Sequence, residues 1–354
     1  MSARPALDDG QAVTPYQPGG AVSGEPSGKL SSNESHLGPG PAVIAAIAAV
    51  APEAHIYRTS DGLREAIASR LNVGADQVIV TNGSDEVCYL TAGALIEPGD
   101  LVVLSDPPYR INEIVSVLNG AELARVPIRD GAHDLDGLAA AAQEAKLLWL
   151  PTPHNPTGVA LSPDKLEAFL DAVPDRCWVV LDEAYRAFLP REQRPDAGRL
   201  LARHPNLVVQ RTLSKSAGLA GVRVGFALGS PELIASLERL RAPFNVNAVA
   251  LAAAEAALEH PAWGEYAVTQ VRRQRAEFEA FLAELGVEFW SSQTNFVSLL
   301  PRSAEVAIAG LRRRGIAVRD GADLGMPGWI RVTIGSAPRM RLVRESLIET
   351  EEMS

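Results

Sequence analysis

The sequence predicts an α/β protein: a large domain on a mostly parallel seven-stranded sheet, followed by a smaller α+β domain at the C-terminal end. Three observations carry that expectation. Short β-branched runs alternate with longer amphipathic stretches over the first two thirds of the chain, as when crossover helices join parallel strands. From Pro231 to Leu258 the alternation gives way to an Ala-rich helical stretch, and a long charged one follows. The 354 residues also exceed one minimal core but suit a large domain with a smaller companion.

In order, residues 1–30 are rich in Gly, Pro and Ser without periodicity, which predicts an extended arm whose start is disordered. Helical patterns follow at Pro41 to Val50 and Gly62 to Arg70. The predicted strands are Gln77 to Thr81, Leu101 to Ser105, Glu122 to Pro127, Lys146 to Pro151, Trp178 to Leu181, Leu207 to Arg211 and Val222 to Leu228. They place the large domain at 31–258. Pro231 to Leu258 and the charged stretch Trp263 to Leu285 read as helices leading into the second domain, 259–354. There the expected elements are strands at Asn295 to Leu300, Gly315 to Arg319 and Trp329 to Ile334, with helices at Ala304 to Arg314 and from Pro338 onward.

Composition narrows the function. Lys and Arg number 33 against 43 Asp and Glu, a formal charge of −10, which opposes contact with nucleic-acid phosphates or anionic lipid. Cys88 and Cys177 stand far apart in a cysteine-poor chain, so reduced, buried thiols are expected and neither a disulfide framework nor a metal site. The opening residues MSARPALDDG lack an apolar signal core and no apolar run reaches about 18 residues, so a cytoplasmic enzyme is expected.

In an open α/β sheet ligands sit beyond the carboxyl ends of the strands, so the residues just after each strand come first. Asn82-Gly83-Ser84-Asp85-Glu86 follows the first strand and opens a helix. Its free amides suit a phosphate, and a plain N-cap with carboxylates on the helix dipole fits equally. Asp106-Pro107-Pro108-Tyr109 puts an aromatic ring at the sheet edge, to cover a planar heterocycle or simply to pack. In Pro151-Thr152-Pro153-His154-Asn155-Pro156-Thr157-Gly158, Pro156 restrains Asn155, while His154 reads as a solvent-facing or packing histidine before a general base. Asp182 closes the fifth, apolar strand and calls for a cationic partner. Lys215, in Thr212-Leu213-Ser214-Lys215 with Arg223 shortly after, is an amine nucleophile if its pKa is lowered and a loop lysine if it stands alone.

It does not stand alone. The chain resembles pyridoxal-phosphate-dependent transferases of fold type I, the aspartate-aminotransferase fold of class I and II aminotransferases, and in particular histidinol-phosphate aminotransferases. The matching text, in order, is Thr14-Pro15-Tyr16-Gln17-Pro18-Gly19, Ser32-Asn33-Glu34, Asn82-Gly83-Ser84-Asp85-Glu86, Asn155-Pro156-Thr157-Gly158, Asp182-Glu183-Ala184-Tyr185, Thr212-Leu213-Ser214-Lys215 and Gly221-Val222-Arg223-Val224-Gly225.

The resemblance implies pyridoxal 5'-phosphate carried by Lys215 as a Schiff base, with the freed amine as the acid/base group and Asp182 paired with the ring nitrogen. It implies Asn155 and Tyr185 as donors to the ring oxygen and Tyr109 as the stacking aromatic. The amides at Ser84 and Asp85, with Ser214 and Arg223, would hold the phosphate, and Tyr57 would reach a neighbouring subunit's phosphate, which implies a homodimer with shared active sites. Tyr16, Asn33, Arg319 and Arg331 fall on the substrate side, Arg331 for a carboxylate or other anion and Arg319 for a distal phosphate. His36 and Arg58 stand where relatives usually carry proline. The expected reaction moves an amino group between an amino acid, or histidinol phosphate, and a 2-oxo acid such as 2-oxoglutarate, with no metal. The alternative is a decarboxylase or lyase of the phosphothreonine decarboxylase type. A non-catalytic regulator would need a DNA-binding module for which the chain has no room, and a dinucleotide dehydrogenase would need the G-x-G-x-x-G fingerprint, which Asn82 to Glu86 lacks.

Overall fold

The computed structural model describes residues 16, 18–20 and 28–353. The expected disordered start of the arm, with Thr14, Pro15 and Gln17 of the first motif, lies outside these residues.

Two sheets organise the described chain. The larger consists of β2 (Val78–Thr81), β3 (Leu101–Asp106), β4 (Glu122–Pro127), β5 (Leu147–Pro151), β6 (Trp178–Asp182), β7 (Leu207–Thr212) and β8 (Gly225–Leu228), in the order β2-β8-β7-β6-β5-β3-β4. All its strands run one way except β8, which is antiparallel to both β2 and β7. The seven expected strands are therefore present, with one correction. The last begins at Gly225 and not at Val222, because Arg223 has φ +63°, a left-handed conformation that no strand residue holds.

Every strand of this sheet except the edge strand β4 is sandwiched, and strict alternation sorts its side chains into two cores. Val80, Leu148, Leu150, Val179, Leu181 and Val209 face one way, against Leu63 and Ile67 of the helix Asp61–Leu71. Ile79, Trp149, Val180 and Val208 face the other, against Val87 and Cys88 of the helix Ser84–Leu95 and Val115 of the helix Arg110–Leu118. Continuing this alternation to the strand ends, Asp182 falls on the second face, while Glu183 and Arg211 fall on the first.

The smaller sheet joins β1 (Lys29–Leu30), β9 (Glu288–Phe289), β10 (Phe296–Leu300), β11 (Ala317–Asp320) and β12 (Ile330–Thr333), in the order β1-β11-β12-β10-β9. Only the β1–β11 pair is parallel. Two residues make too short a run to read as a strand, so β1 is not foreseen within the arm. At Gly28 an added Cβ would sit 1.9 Å from the Gly315 carbonyl oxygen, so the chain there lies directly against the small sheet. This pairing delivers residues 31–34 to the mouth between the sheets. The 24-residue helix Ala262–Leu285 and the helix Ala337–Met353 pack on the small sheet, and their core takes in Tyr185 and Phe188 from the segment after β6.

Glu183, just beyond β6, and Arg211, near the end of β7, form a buried ion pair at 2.6 Å, with side chains 1% and 10% exposed. Removing one member strands a charge in the interior, at a cost of about 3–5 kcal/mol. Arg211→Met should therefore lower the denaturant midpoint steeply. Arg191→Met, which breaks the exposed pair to Glu265, should change stability by less than about 1 kcal/mol.

Candidate active site

Because β2, β3, β5, β6 and β7 all point the same way, their carboxyl ends converge on one edge, and a cavity of about 310 Å³ opens there. Its floor is polar because the apolar strands end in polar residues at that edge. Tyr16, Asn33, Ser84, Asp85, Tyr109, Asn155, Asp182, Tyr185, Ser214, Lys215, Arg223 and Arg331 all line it.

At one end, Gly83 has φ +75° and opens the helix Ser84–Leu95, so the first amides of that helix face the cavity. The Arg223 guanidinium lies over this turn: a Cβ on Gly83 would come within 2.4 Å of its terminal nitrogen, and a Cβ on Gly225 within 2.7 Å of the Ser84 nitrogen. Arg223 donates to the Ala220 carbonyl at 3.1 Å and pairs with Asp85 at 3.3 Å. The Asp85 carboxylate also accepts from the Tyr109 hydroxyl at 2.9 Å. Ser214 sits beside Thr212, their hydroxyls 2.9 Å apart. A helix start, a guanidinium and two hydroxyls around a glycine turn make a cradle for a dianion, and the lack of side chains at Gly83 and Gly225 keeps it open.

At the other end, Lys215 Nζ donates to the Ser32 carbonyl at 3.3 Å and lies 5.9 Å from the centre of the Tyr185 ring. Burial, then the positive charge of Arg331, brings its pKa down to about 8. Asp182 accepts from the Ala184 amide at 2.9 Å, and burial pushes its pKa up to about 6. An acid this buried is stable as a carboxylate only beside a cation or a strong donor, such as a protonated ring nitrogen. Burial drives the Tyr185 phenol up to about 12, so it stays a donor; its oxygen receives the Asn33 side-chain amide at 2.8 Å.

The small sheet closes the cavity through Arg331, which β12 projects inward. One guanidinium nitrogen donates to Asn155 Oδ1 at 2.6 Å and another to the Ser31 carbonyl at 3.0 Å, while the group lies 5.1 Å from the Phe296 ring centre. Asn33, at φ +56°, is pinned to Thr333 and to Asn295.

Two of the expected residues stand apart. Arg319 lines an adjoining cavity of about 400 Å³ with Tyr16, its guanidinium 5.7 Å from the Tyr16 ring centre and 3.8 Å from Asp323. Tyr57 does not reach this cavity; it is 79% exposed and stacks on Phe244 at 4.5 Å. His154 is buried, contacts Thr157 at 3.0 Å and packs its ring against His133, as the packing reading expects. Cys88 and Cys177 are buried free thiols. Among the described residues no cluster of His, Cys, Asp or Glu could hold a metal, and no helix is long and apolar enough to cross a membrane.

Sequence reasoning missed Ser32, whose contribution is a carbonyl and so leaves no mark on residue identity. It also missed Gln210, visible in hindsight as one polar residue at the end of the apolar run Leu207-Val208-Val209.

Fold and cavity together define an enzyme dependent on pyridoxal phosphate, because the dianion cradle, the buried acid and the activated lysine fit the phosphate, ring nitrogen and aldehyde of that one cofactor. The family model described as aminotransferase class I and II matches residues 27–347, and the chain belongs to this family. It is 41% identical over 317 residues to histidinol-phosphate aminotransferase 1 of Cupriavidus pinatubonensis, covering 87% of this chain and 84% of that one. It is 36% identical to histidinol-phosphate aminotransferase 1 of Dechloromonas aromatica, covering 97% of each. Among solved structures, histidinol-phosphate aminotransferase from Sinorhizobium meliloti in complex with pyridoxal-5'-phosphate superposes with a TM-score of 0.87 at 29% identity, covering 92% of this chain and 91% of that one. The protein is a pyridoxal-phosphate-dependent aminotransferase, and the lyase alternative is the less supported reading.

With its pKa near 8, Lys215 should react in the apoprotein with an added aldehyde at a rate that climbs with pH and levels off above about 8. An ordinary lysine would still be gaining rate near 10. A rate profile with its midpoint near 10 would show that the amine is not activated.

Proposed function

We propose that this aminotransferase moves the amino group of histidinol phosphate to 2-oxoglutarate, acting in the cytoplasm as a homodimer with shared active sites. The observation that carries the reading is the pair of buried guanidiniums, Arg331 in the main cavity and Arg319 in the cavity beside it. One site for the small anion near the reacting carbon and a second for a distal one match a donor that carries phosphate. The names of the relatives support the same substrate.

Bound pyridoxal phosphate supplies an electron sink that makes the proton on the substrate's α carbon acidic. Lys215, neutral in a useful fraction near pH 7, would take that proton from the α carbon and return it at the cofactor's C4′. Asp182 would hold the proton of the ring nitrogen by its charge. Asn155 and Tyr185 would donate to the ring oxygen, Tyr109 would cover the ring face, and the backbone amides of Ser84 and Asp85, with Ser214 and Arg223, would hold the phosphate. Arg331 binds the carboxylate of 2-oxoglutarate bidentately, and Arg319 with Tyr16 takes the phosphate of the amino donor. Asn33 aligns the Tyr185 hydroxyl from the arm side.

Tyr57 supports the dimer. Together with Ile56 and Phe244 it presents exposed apolar surface, the kind of patch that a subunit interface covers. Its hydroxyl then serves the partner's phosphate. Arg58 is tied back to Glu53 at 2.5 Å, which leaves Tyr57 clear. His36 contacts the Ile334 carbonyl at 3.3 Å and burial lowers its pKa, so it enters the arm as a neutral packing group.

A donor panel with 2-oxoglutarate tests the substrate, and histidinol phosphate should give the highest kcat/KM. Arg319→Ala should lower that value about 10–100-fold, by the loss of charge-assisted bonds to the phosphate, and leave donors without a distal anion nearly unchanged. Equal losses for both donor types would sink the assignment of Arg319. Light scattering should show a dimer, and Tyr57→Phe should weaken cofactor retention about tenfold; a monomer with full activity would remove the shared site.

A further inference from the structure

Behind Asp182 lies a polar cluster that none of the roles above uses. β6 and β7 set Asp182 directly opposite Gln210, and both side chains continue the sheet face that packs against the helix Ser84–Leu95. That face is otherwise apolar, with Val180 and Val208 two residues back on each strand. Gln210 is 0% exposed. Its Oε1 lies 3.5 Å from the Cys88 sulfur, which is also 3.4 Å from Asn112 Oδ1.

The chemistry of the neighbours fixes which way the amide points. A thiol has a hydrogen to give and a carboxylate only accepts, so the amide oxygen belongs toward Cys88 and the NH2 toward Asp182. That NH2 has no partner within hydrogen-bond distance, although it is fully buried. A buried donor in an apolar wall is costly and calls for a nearby acceptor. Asp182 uses one oxygen to accept from Ala184 and stands on the adjoining strand.

We propose that Gln210 is the positioning residue for Asp182, its NH2 closing onto the carboxylate to keep it ionised and aimed at the cofactor's ring nitrogen. This rests on the reading of Asp182 as the partner of that nitrogen. Burial raises Asp182 to about 6, and the Ala184 amide and the Gln210 side chain oppose that rise. Asp85, from the helix Ser84–Leu95, and Glu183, next in the chain, push it up further. The Cys88 thiol and the Tyr109 and Tyr185 phenols also feel the Asp182 charge, and burial keeps all three protonated. Within the protein, the Ala184 amide and the Gln210 side chain are therefore the dipoles that help to hold it charged.

The test is Gln210→Met in the holoenzyme, which keeps length and volume and removes the donor. The acid limb of the kcat profile should move up by about one pH unit, so that kcat well below its midpoint falls about tenfold while KM changes little. The visible absorbance of the bound cofactor gives a second readout. Its pH midpoint should rise, because a ring that loses its proton more readily withdraws less charge from the conjugated Lys215 nitrogen. Gln210→Leu, followed by thermal denaturation, guards against a misfolded first variant. A kcat profile and an absorbance midpoint that do not move in a folded variant overturn the proposal. Asp182→Asn separates the two claims: a loss of 100-fold or more beside an inert Gln210→Met overturns only the role of Gln210, and near-normal activity overturns that of Asp182 itself.

Discussion

The site depends on one buried guanidinium. Arg331 projects from the small sheet, donates to Asn155 beyond β5 of the large sheet, and donates to Ser31 of the segment that follows β1. Three parts of the chain, distant in sequence, thus meet on one cation. A charge so enclosed is tolerated only when its donors are met, so the arm and the turn after β5 must stay where they are for the lobes to close. The same charge reaches Lys215 and helps lower its pKa, which ties the assembly of the cavity to the reactivity of its amine.

Burial acts on the other ionisable groups in the direction that function needs at two positions and against it at a third. It moves Lys215 toward a neutral amine and Tyr185 toward a permanent donor, and it moves Asp182 toward a neutral acid. The first two shifts help directly. The third works against a role that requires charge, so Asp182 needs outside support from the Ala184 amide, from a bound cation and from its neighbour on β7. One low-dielectric pocket cannot favour a neutral lysine and a charged aspartate by desolvation alone. The difference has to come from local dipoles and partners.

Much of this was legible in the sequence, because the chemistry sits where an α/β sheet always places it. Asp182 and Thr212 end apolar runs, and Ser84 and Lys215 follow others, so strand prediction alone brings them to one edge. The seven strands were readable from β-branched runs. Arg223 was readable as a residue but not as a conformation: flanked by Val222 and Val224 it looks like strand, and only its positive φ shows that it turns over Gly83. β1 was not readable, since two residues carry no period and its partner β11 lies some 290 residues on, a separation that local pattern cannot span. Ser32 acts through its backbone, and Gln210 announces itself only as a polar residue where an apolar one is expected. The features lost to sequence reading are those set by backbone shape or by distant pairing.

The cavity beside the main site shows why chemistry is easier to read than substrate. Arg319 faces it from the small sheet, Tyr16 from the arm, and Arg110, Glu113 and Arg125 from the large domain. Glu113 pairs with both Arg110 and Arg125, Asp106 lies 4.0 Å from Arg125, and Asp323 lies 3.8 Å from Arg319. The wall therefore sets three guanidiniums against three carboxylates, a property of the assembled cavity and of no single motif. An anion arriving here competes with carboxylates already in place, so selectivity turns on how many of these pairs it displaces and at what distance from Lys215. The catalytic groups must meet one fixed cofactor, which constrains their residue types tightly. The distal groups need only balance charge and shape, which many combinations of residues achieve.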